Sequence, residues 1–345
     1  MKGLYYEAFQ EPITLRELPS PNPSHLGVVI QVEATGLCLS DWHGWMGHDK
    51  DIVLPHVPGH ELAGVVVAVG AGVDKFSEGD RVTVPFVGGC GRCATCLSGN
   101  QQVCPDQFQP GFTAWGSFAE YVAIDYADTN LVKLPSEIDF VTAASLGCRF
   151  ATSFRGVVDQ GGLRGGEWVV VFGCGGVGLS AIMIAQAMGS QVIAVDLEEE
   201  KLAFARSLGA HIGLNARAVD DLVSAIQEIT GGGAHLTVDA IGNQQVIQQA
   251  ILSLARRGRH VQIGILPPEK TYAPIPMDRV IAYELALHGS HGMQAFRYQE
   301  MLKMIVSGKL QPHKLVTERI SLEAAKDLLP QMNKSAHAGV RVITF

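Results

Sequence analysis

Short runs of β-branched residues punctuate the first part of the chain. Val28-Val29-Ile30-Gln31-Val32, Gly64-Val65-Val66-Val67-Ala68-Val69 and Arg81-Val82-Thr83-Val84 are bounded by Gly, Pro or Asp and predict strands. Gly79-Asp80 marks a turn before the third run. To about residue 150 the pattern reads as a β-rich barrel with long loops. After about Phe154 the texture changes. Trp168–Phe172 is wholly apolar and predicts a fully buried strand. A glycine-rich turn at 173–178 follows, then an Ala/Met/Ile-rich helix ending near Met188. A second apolar run at 191–195 ends in Asp196 and leads into a charged helix over 198–208. Further strands are expected at 235–238, 259–263 and 285–288. Strands alternating with helices predict a parallel, doubly wound sheet. From about Gly289 the pattern is mixed again, and the last run, 340–345, is expected to rejoin the first domain. The expected domains are therefore 1–153, 154–289 and a return segment 290–345. No internal repeat, low-complexity tract or flexible linker interrupts them.

Composition narrows the class. The chain has 345 residues, 47% of them hydrophobic and 17% charged, which suits a two-domain globular enzyme with a large core. A net charge of −8 argues against a nucleic-acid or anionic-membrane surface. The N-terminus Met-Lys-Gly-Leu-Tyr-Tyr-Glu has no apolar signal core and is not a transit peptide. Seven cysteines, an odd number without a signal, fit reduced thiols and a cytoplasmic location. Residues 168–195 carry no charge and are long enough to span a bilayer, but their glycines read as strand, turn, helix, strand.

Two motifs carry chemistry. Cys90, Cys93, Cys96 and Cys104 lie in one Gly-rich stretch, C-G-R-C-A-T-C-L-S-G-N-Q-Q-V-C. Four soft ligands at this spacing suit a closed, structural zinc site; two disulfides are the other reading. Gly173-x-Gly175-x-x-Gly178, with Gly176 and Val177 inside it, follows the buried strand and opens a helix, and Asp196 closes the next strand. This context predicts a dinucleotide site, with pyrophosphate on the helix N-terminus and Asp196 on the adenosine ribose. A carboxylate there repels a 2′-phosphate and Leu197 supplies no cation, so NAD(H) is expected over NADP(H). A Gly-rich turn without ligand is the alternative. Of the remaining cysteines, Cys174 inside that turn reads as a small apolar filler. Cys38 in Gly36-Leu-Cys-Leu-Ser-Asp-Trp-His43, His60 in Pro58-Gly-His-Glu61 and Cys148 in Leu146-Gly-Cys-Arg-Phe-Ala-Thr152 would make a three-ligand zinc site with a free position. Taken singly, each also reads as buried filler or a structurally paired histidine, and spacing alone does not join them.

These motifs together resemble the zinc-dependent medium-chain alcohol dehydrogenases, over essentially the whole chain. The resemblance implies a GroES-like β-barrel catalytic domain with a structural zinc lobe, plus a Rossmann NAD-binding domain. It implies two zinc ions per chain. Cys38, His60 and Cys148 match the catalytic ligands, with Glu61 able to approach the metal from behind, and Asp41 matches the carboxylate that orients the ligand histidine. Ser40 and His43 match a proton relay that runs through a cofactor hydroxyl. Thr152 and Arg341 match cofactor contacts, and Lys201 a lysine near the adenosine ribose. Cys90, Cys93, Cys96 and Cys104 match the structural lobe. Leu39 stands where many relatives place a basic residue against the pyrophosphate, which leaves that charge to the helix terminus and Arg341.

By the same resemblance, Trp45, Phe86 and Trp115 fall where family members line the substrate pocket, although each ring reads equally well as core packing. An aromatic pocket favours aliphatic or aromatic alcohols and their aldehydes or ketones, with His48 and Asp49 available for polar contacts. Two other readings stand beside this one. A polyol or threonine-type dehydrogenase would favour Glu as third ligand, or charged substrate anchors. A non-catalytic zinc and nucleotide sensor would not need Ser40 and His43. A homo-oligomer is expected, a tetramer ahead of a dimer.

Overall fold

The computed structural model describes residues 1–267, 272–334 and 337–345. The chain separates into two compact units. The first comprises Met1–Ala151, Gly292–Gly308 and Val316–Phe345; the second comprises Thr152–His291 and Lys309–Leu315. The return segment thus contributes to both, since 309–315 belongs with the second.

In the first unit the long strand Val28–Leu37 is the hub. Leu62–Val69 and Tyr121–Ile124 pair with it antiparallel, and Arg81–Thr83 and Val132–Lys133 extend the sheet beyond Leu62–Val69. The closing strand Val340–Thr344 pairs with its end, Arg341 opposite Leu37 and Thr344 opposite Ala34. The β-branched runs supply the core. Val28, Ile30 and Val32 point one way at two-residue spacing and pack against Leu62, Val66, Val82, Val122 and Ile124. This packing holds rigid the two places where chemistry sits: the end of Val28–Leu37 and the start of Leu62–Val69.

The second unit is a six-stranded, wholly parallel sheet. In spatial order its strands are Ile212–Asn215, Gln191–Asp196, Trp168–Phe172, Ala234–Asp239, Leu254–Gln262 and Ala286–Gly289. Counted along the chain this is order 3-2-1-4-5-6, whose topological switch point lies beside Trp168–Phe172. Helices Gly176–Ala187, Glu199–Ser207, Leu222–Thr230 and Gln244–Leu252 connect the strands. The sequence pattern missed the edge strand Ile212–Asn215. It is short, only half-buried, and contains Gly213, so it lacks the apolar run that marks the central strands. The charge-free stretch 168–195 is the strand, glycine turn, helix and strand that its glycines imply. Among the described residues no helix is long and apolar enough to cross a membrane.

Candidate functional site

The four-cysteine stretch folds into a small lobe. The sulfurs of Cys90, Cys93, Cys96 and Cys104 all lie within 4.8 Å of one another. Cys93 Sγ and Cys104 Sγ are 3.7 Å apart, and Cys104 Sγ and Cys90 Sγ 3.6 Å. These are not disulfide distances. They do match the edge of a zinc–sulfur tetrahedron, about 3.8 Å for a metal–sulfur bond of about 2.3 Å. Backbone amides of Arg92 and Cys93 help pull the Cys90 thiol down to about 6, while burial pushes Cys96 up to about 12.

The second cluster is assembled from distant segments. Cys38 ends the strand Val28–Leu37 and precedes the helix Leu39–Trp45. His60 and Glu61 lead into Leu62–Val69, and Gly36 N donates to Glu61 O at 2.7 Å, which locks the two strand ends together. Cys148 lies on a π-helical turn, Leu146–Phe150, an irregularity frequent at functional sites. One ligand atom from each of Cys38, His60, Glu61 and Cys148 falls within 4.8 Å of the others.

Asp41 organises this cluster from behind. Its Oδ1 accepts from His60 Nδ1 at 2.8 Å and Gly59 N at 3.1 Å, and its Oδ2 accepts from Cys38 N at 3.0 Å. A carboxylate only accepts, so Nδ1 carries a proton toward Asp41, and Nε2 is the ring nitrogen left for a cation. That Nε2 is buried and, among the described residues, has no hydrogen-bond partner. A buried imidazole nitrogen beside two thiols is what a soft divalent cation requires, and Asp41 is the partner that fixes such a ligand. The thiols respond to each other. The Cys148 hydrogen bond, against burial and aided by Arg149 and His60, holds Cys38 well below its ordinary range. The same bond, with burial, raises Cys148 well above it. The pair therefore shares one proton, the place a cation would take. Burial opposes charge on His60, but Asp41 outweighs it and raises the ring well above its usual value.

The relay residues lie on the adjoining helix. Ser40 Oγ is 3.7 Å from Cys38 Sγ. His43 Nδ1 meets His48 Nδ1 at 2.9 Å, so one ring donates and the other accepts, and the edge of Trp42 packs on both. Partial desolvation, then the facing His48, lowers His43. Of the three aromatic candidates, Phe86 stands edge-on to His60, with centroids 6.2 Å apart. Trp45 packs in the core cluster of Leu4, Tyr6 and Leu37 and donates to Glu11 O at 2.9 Å. Trp115 donates to Pro55 O at 3.1 Å and packs edge-on to Tyr5. Two site residues were not assigned from sequence. Phe112, buried, lies with its ring centroid 5.2 Å from that of His60. Arg149 grips Glu61. A cation inside the apolar run Leu146-Gly-Cys-Arg-Phe-Ala was its signal, since such a charge needs a buried partner.

In the second unit the helix Gly176–Ala187 opens at the glycine turn. A Cβ on Gly178 would overlap Gly173 O, so the close strand–helix approach demands glycine there. Asp196 Oδ2 accepts from Cys174 N at 2.7 Å, and Oδ1 from Leu197 N at 2.8 Å and Glu198 N at 3.1 Å. The carboxylate thus ties the turn to the next helix, and its remaining acceptor capacity is what a ribose diol would use. Val177 O accepts from Ser153 Oγ at 2.8 Å. Thr152 Oγ1 is buried and, among the described residues, has no hydrogen-bond partner. Burial, with Asp196, raises the Cys174 thiol, and Lys201, in the first turn of Glu199–Ser207, opposes that rise. Arg341, in the first unit, donates from Nε to Glu318 Oε2 at 2.6 Å.

Comparison with known proteins places the chain. Residues 24–136 match the family described as alcohol dehydrogenase GroES-like domain, and residues 176–307 that described as zinc-binding dehydrogenase. An alcohol dehydrogenase of Geobacillus stearothermophilus is 36% identical, covering 97% of this chain and 96% of its own. An NAD-dependent alcohol dehydrogenase of Sulfurisphaera tokodaii is 31% identical over 99% of both. An alcohol dehydrogenase structure from Thermus sp. ATN1 superposes with a TM-score of 0.90 at 29% identity, covering 100% of this chain and 99% of the other. With that identity running end to end through both matched families, the chain belongs to the zinc-type alcohol dehydrogenases.

Proposed function

We propose that the protein catalyses reversible hydride transfer between a primary or secondary aliphatic or aromatic alcohol and NAD, giving an aldehyde or ketone, with one structural and one catalytic zinc per chain. The observation that carries this reading is His60 Nε2. It is a buried ring nitrogen, oriented by the Asp41 bond at Nδ1 and set among Cys38 and Cys148, with no hydrogen-bond partner among the described residues. Three ligands leave a tetrahedral ion one open position. Zinc there supplies Lewis acidity that lowers the pKa of an alcohol hydroxyl, and NAD supplies the hydride acceptor.

The chain's own groups do the rest. Phe86 and Phe112 flank His60 with apolar rings, which exclude water and favour apolar alcohols. Ser40 Oγ accepts the alcohol proton as it gives up its own hydroxyl proton. His43 and His48, which already share a proton between their Nδ1 atoms, carry it onward to solvent. The second unit holds NAD by the amides of the glycine turn, with Asp196 on the adenosine ribose and Thr152 and Lys201 as further contacts. The Asp196 carboxylate would repel a 2′-phosphate, which favours NAD over NADP.

The test is a panel of alcohols with NAD and, separately, NADP, read by absorbance of the reduced cofactor and paired with a zinc count. Turnover of simple alcohols with NAD, a much weaker NADP signal and two zinc ions per chain are expected. No turnover of any alcohol, or a single zinc, would overturn the assignment.

We also propose a homo-oligomer, a tetramer ahead of a dimer. Ile265, Tyr272, Met277 and Ile281 are strongly exposed apolar side chains in the second unit. They lie in the segment that precedes the edge strand Ala286–Gly289, and apolar exposure of this kind marks association surfaces. Light scattering should return four times the monomer mass of 36.9 kDa; a monomer at micromolar concentration would refute it.

A further inference from the structure

Next to the ligand Cys148 stands a cation with almost no access to water. Arg149 is 7% exposed and Glu61 0%. Arg149 engages both carboxylate oxygens. Its backbone N and its Nε donate to Glu61 Oε1 at 3.1 and 3.0 Å, and its Nη2 donates to Oε2. Nη1 donates to Leu37 O at 3.2 Å. A planar fork on a carboxylate is directional as well as strong. Room has been made for it. A Cβ on Gly36 would overlap Glu61 Oε2 and stand 2.9 Å from Arg149 Nη2. Yet the same carboxylate also reaches the ligand cluster, with an oxygen within 4.8 Å of the Cys38, His60 and Cys148 ligand atoms. Two cations are therefore within reach of Glu61: the guanidinium that holds it, and a metal at those three ligands.

We propose that Arg149 is a positioning residue that holds Glu61 off the metal and so keeps the fourth coordination position open for substrate. This rests on Cys38, His60 and Cys148 being metal ligands. Removing one member of a buried ion pair leaves an uncompensated charge. Glu61 released from Arg149 regains a cation only by turning to the metal, and that closes the position. Lysine is no substitute, because a point charge cannot hold both oxygens and the Leu37 carbonyl at once.

The test uses the full chain loaded with cobalt(II), whose visible bands report the ligand set, with imidazole as the probe of the open position. In the parent, imidazole shifts the bands. In Arg149→Met the bands differ before imidazole is added, and imidazole binds about tenfold or more weakly, the usual scale for loss of an outer partner. Zinc is also lost more slowly to a chelator. The double variant Arg149→Met with Glu61→Gln returns all three readouts to the parent values. Bands and imidazole affinity unchanged in Arg149→Met would overturn the inference while leaving the metal site in place. Should that variant fail to fold, Gly36→Ala displaces the carboxylate from the fork sterically, with the same expected shift and the same overturning result. A parent chain that takes up cobalt only at the four-cysteine lobe overturns the metal reading itself, and this inference with it.

Discussion

Replacing Cys148 with alanine lowers turnover by about a thousandfold or more, removes one zinc per chain and leaves NAD binding within about twofold of the parent. The size follows from the chemistry. Metal polarisation of the reacting oxygen is worth several kcal/mol, and each 1.4 kcal/mol is a factor of ten in rate. The selectivity follows from the chain's division. Cys148 belongs to the first unit, whereas the glycine turn and Asp196 lie wholly in the second. The fold should also tolerate the change. Cys148 is only partly buried, and Ala at its place leaves the core of Val28, Ile30 and Leu62 untouched. Steady-state kinetics, a metal count and a titration of NAD fluorescence quenching check the three parts separately. Parent-like turnover by a chain with one zinc would remove the catalytic role from this cluster. Turnover and NAD affinity falling together would point instead to a global defect.

The same residue shows what was legible in the chain and what was not. Cys90 to Cys104 can be read as a ligand set because all four lie on one short loop. No choice of fold can move them far apart. Trp168–Phe172, the glycine turn and Asp196 are legible for a related reason: a buried strand, a turn and a helix follow one another without a gap. Cys38, His60 and Cys148 are different. Only the pairing of Val28–Leu37 with Leu62–Val69, and the turn Leu146–Phe150 laid against them, brings them together. Nothing local encodes that meeting, so family likeness had to join them. The Arg149–Glu61 pair spans 88 positions, so the lone cation in its apolar run signalled a buried partner without saying which residue supplies it. Trp45 and Phe86 sit at comparable places in the pattern, yet one packs in a core and the other faces His60. Side-chain direction at a loop or a helix end is set by tertiary packing rather than by periodicity.

Replacing Cys93 with serine should cost the second zinc and the order of its lobe. The lobe has almost no core of its own. The buried side chains it gathers are Cys90, Cys96 and Cys104, with Cys93 and Tyr126 packed alongside. Its helix Ala94–Leu97 is four residues long, and Leu97 and Val103 are exposed rather than buried. A segment that buries so little apolar surface cannot offset the entropy of ordering its backbone, about 1–2 kcal/mol per residue. The metal must supply the difference, and in small domains held by zinc alone that contribution is about 10–16 kcal/mol. Here the sheet anchors both ends of the lobe, so local melting sets the loss, not unfolding of the whole chain. The variant should therefore be cut by protease within 90–104, melt several degrees lower, and keep the zinc at Cys38, His60 and Cys148. Acid should mimic it in the parent. Burial pushes Cys96 to about 12 and raises Cys104, so both thiols lose their protons to solvent only when a metal displaces them. Zinc retention by the lobe thus falls as pH falls. A Cys93→Ser chain that resists protease and melts like the parent would mean that the loop is held by packing after all, and the four sulfurs would lose their structural role.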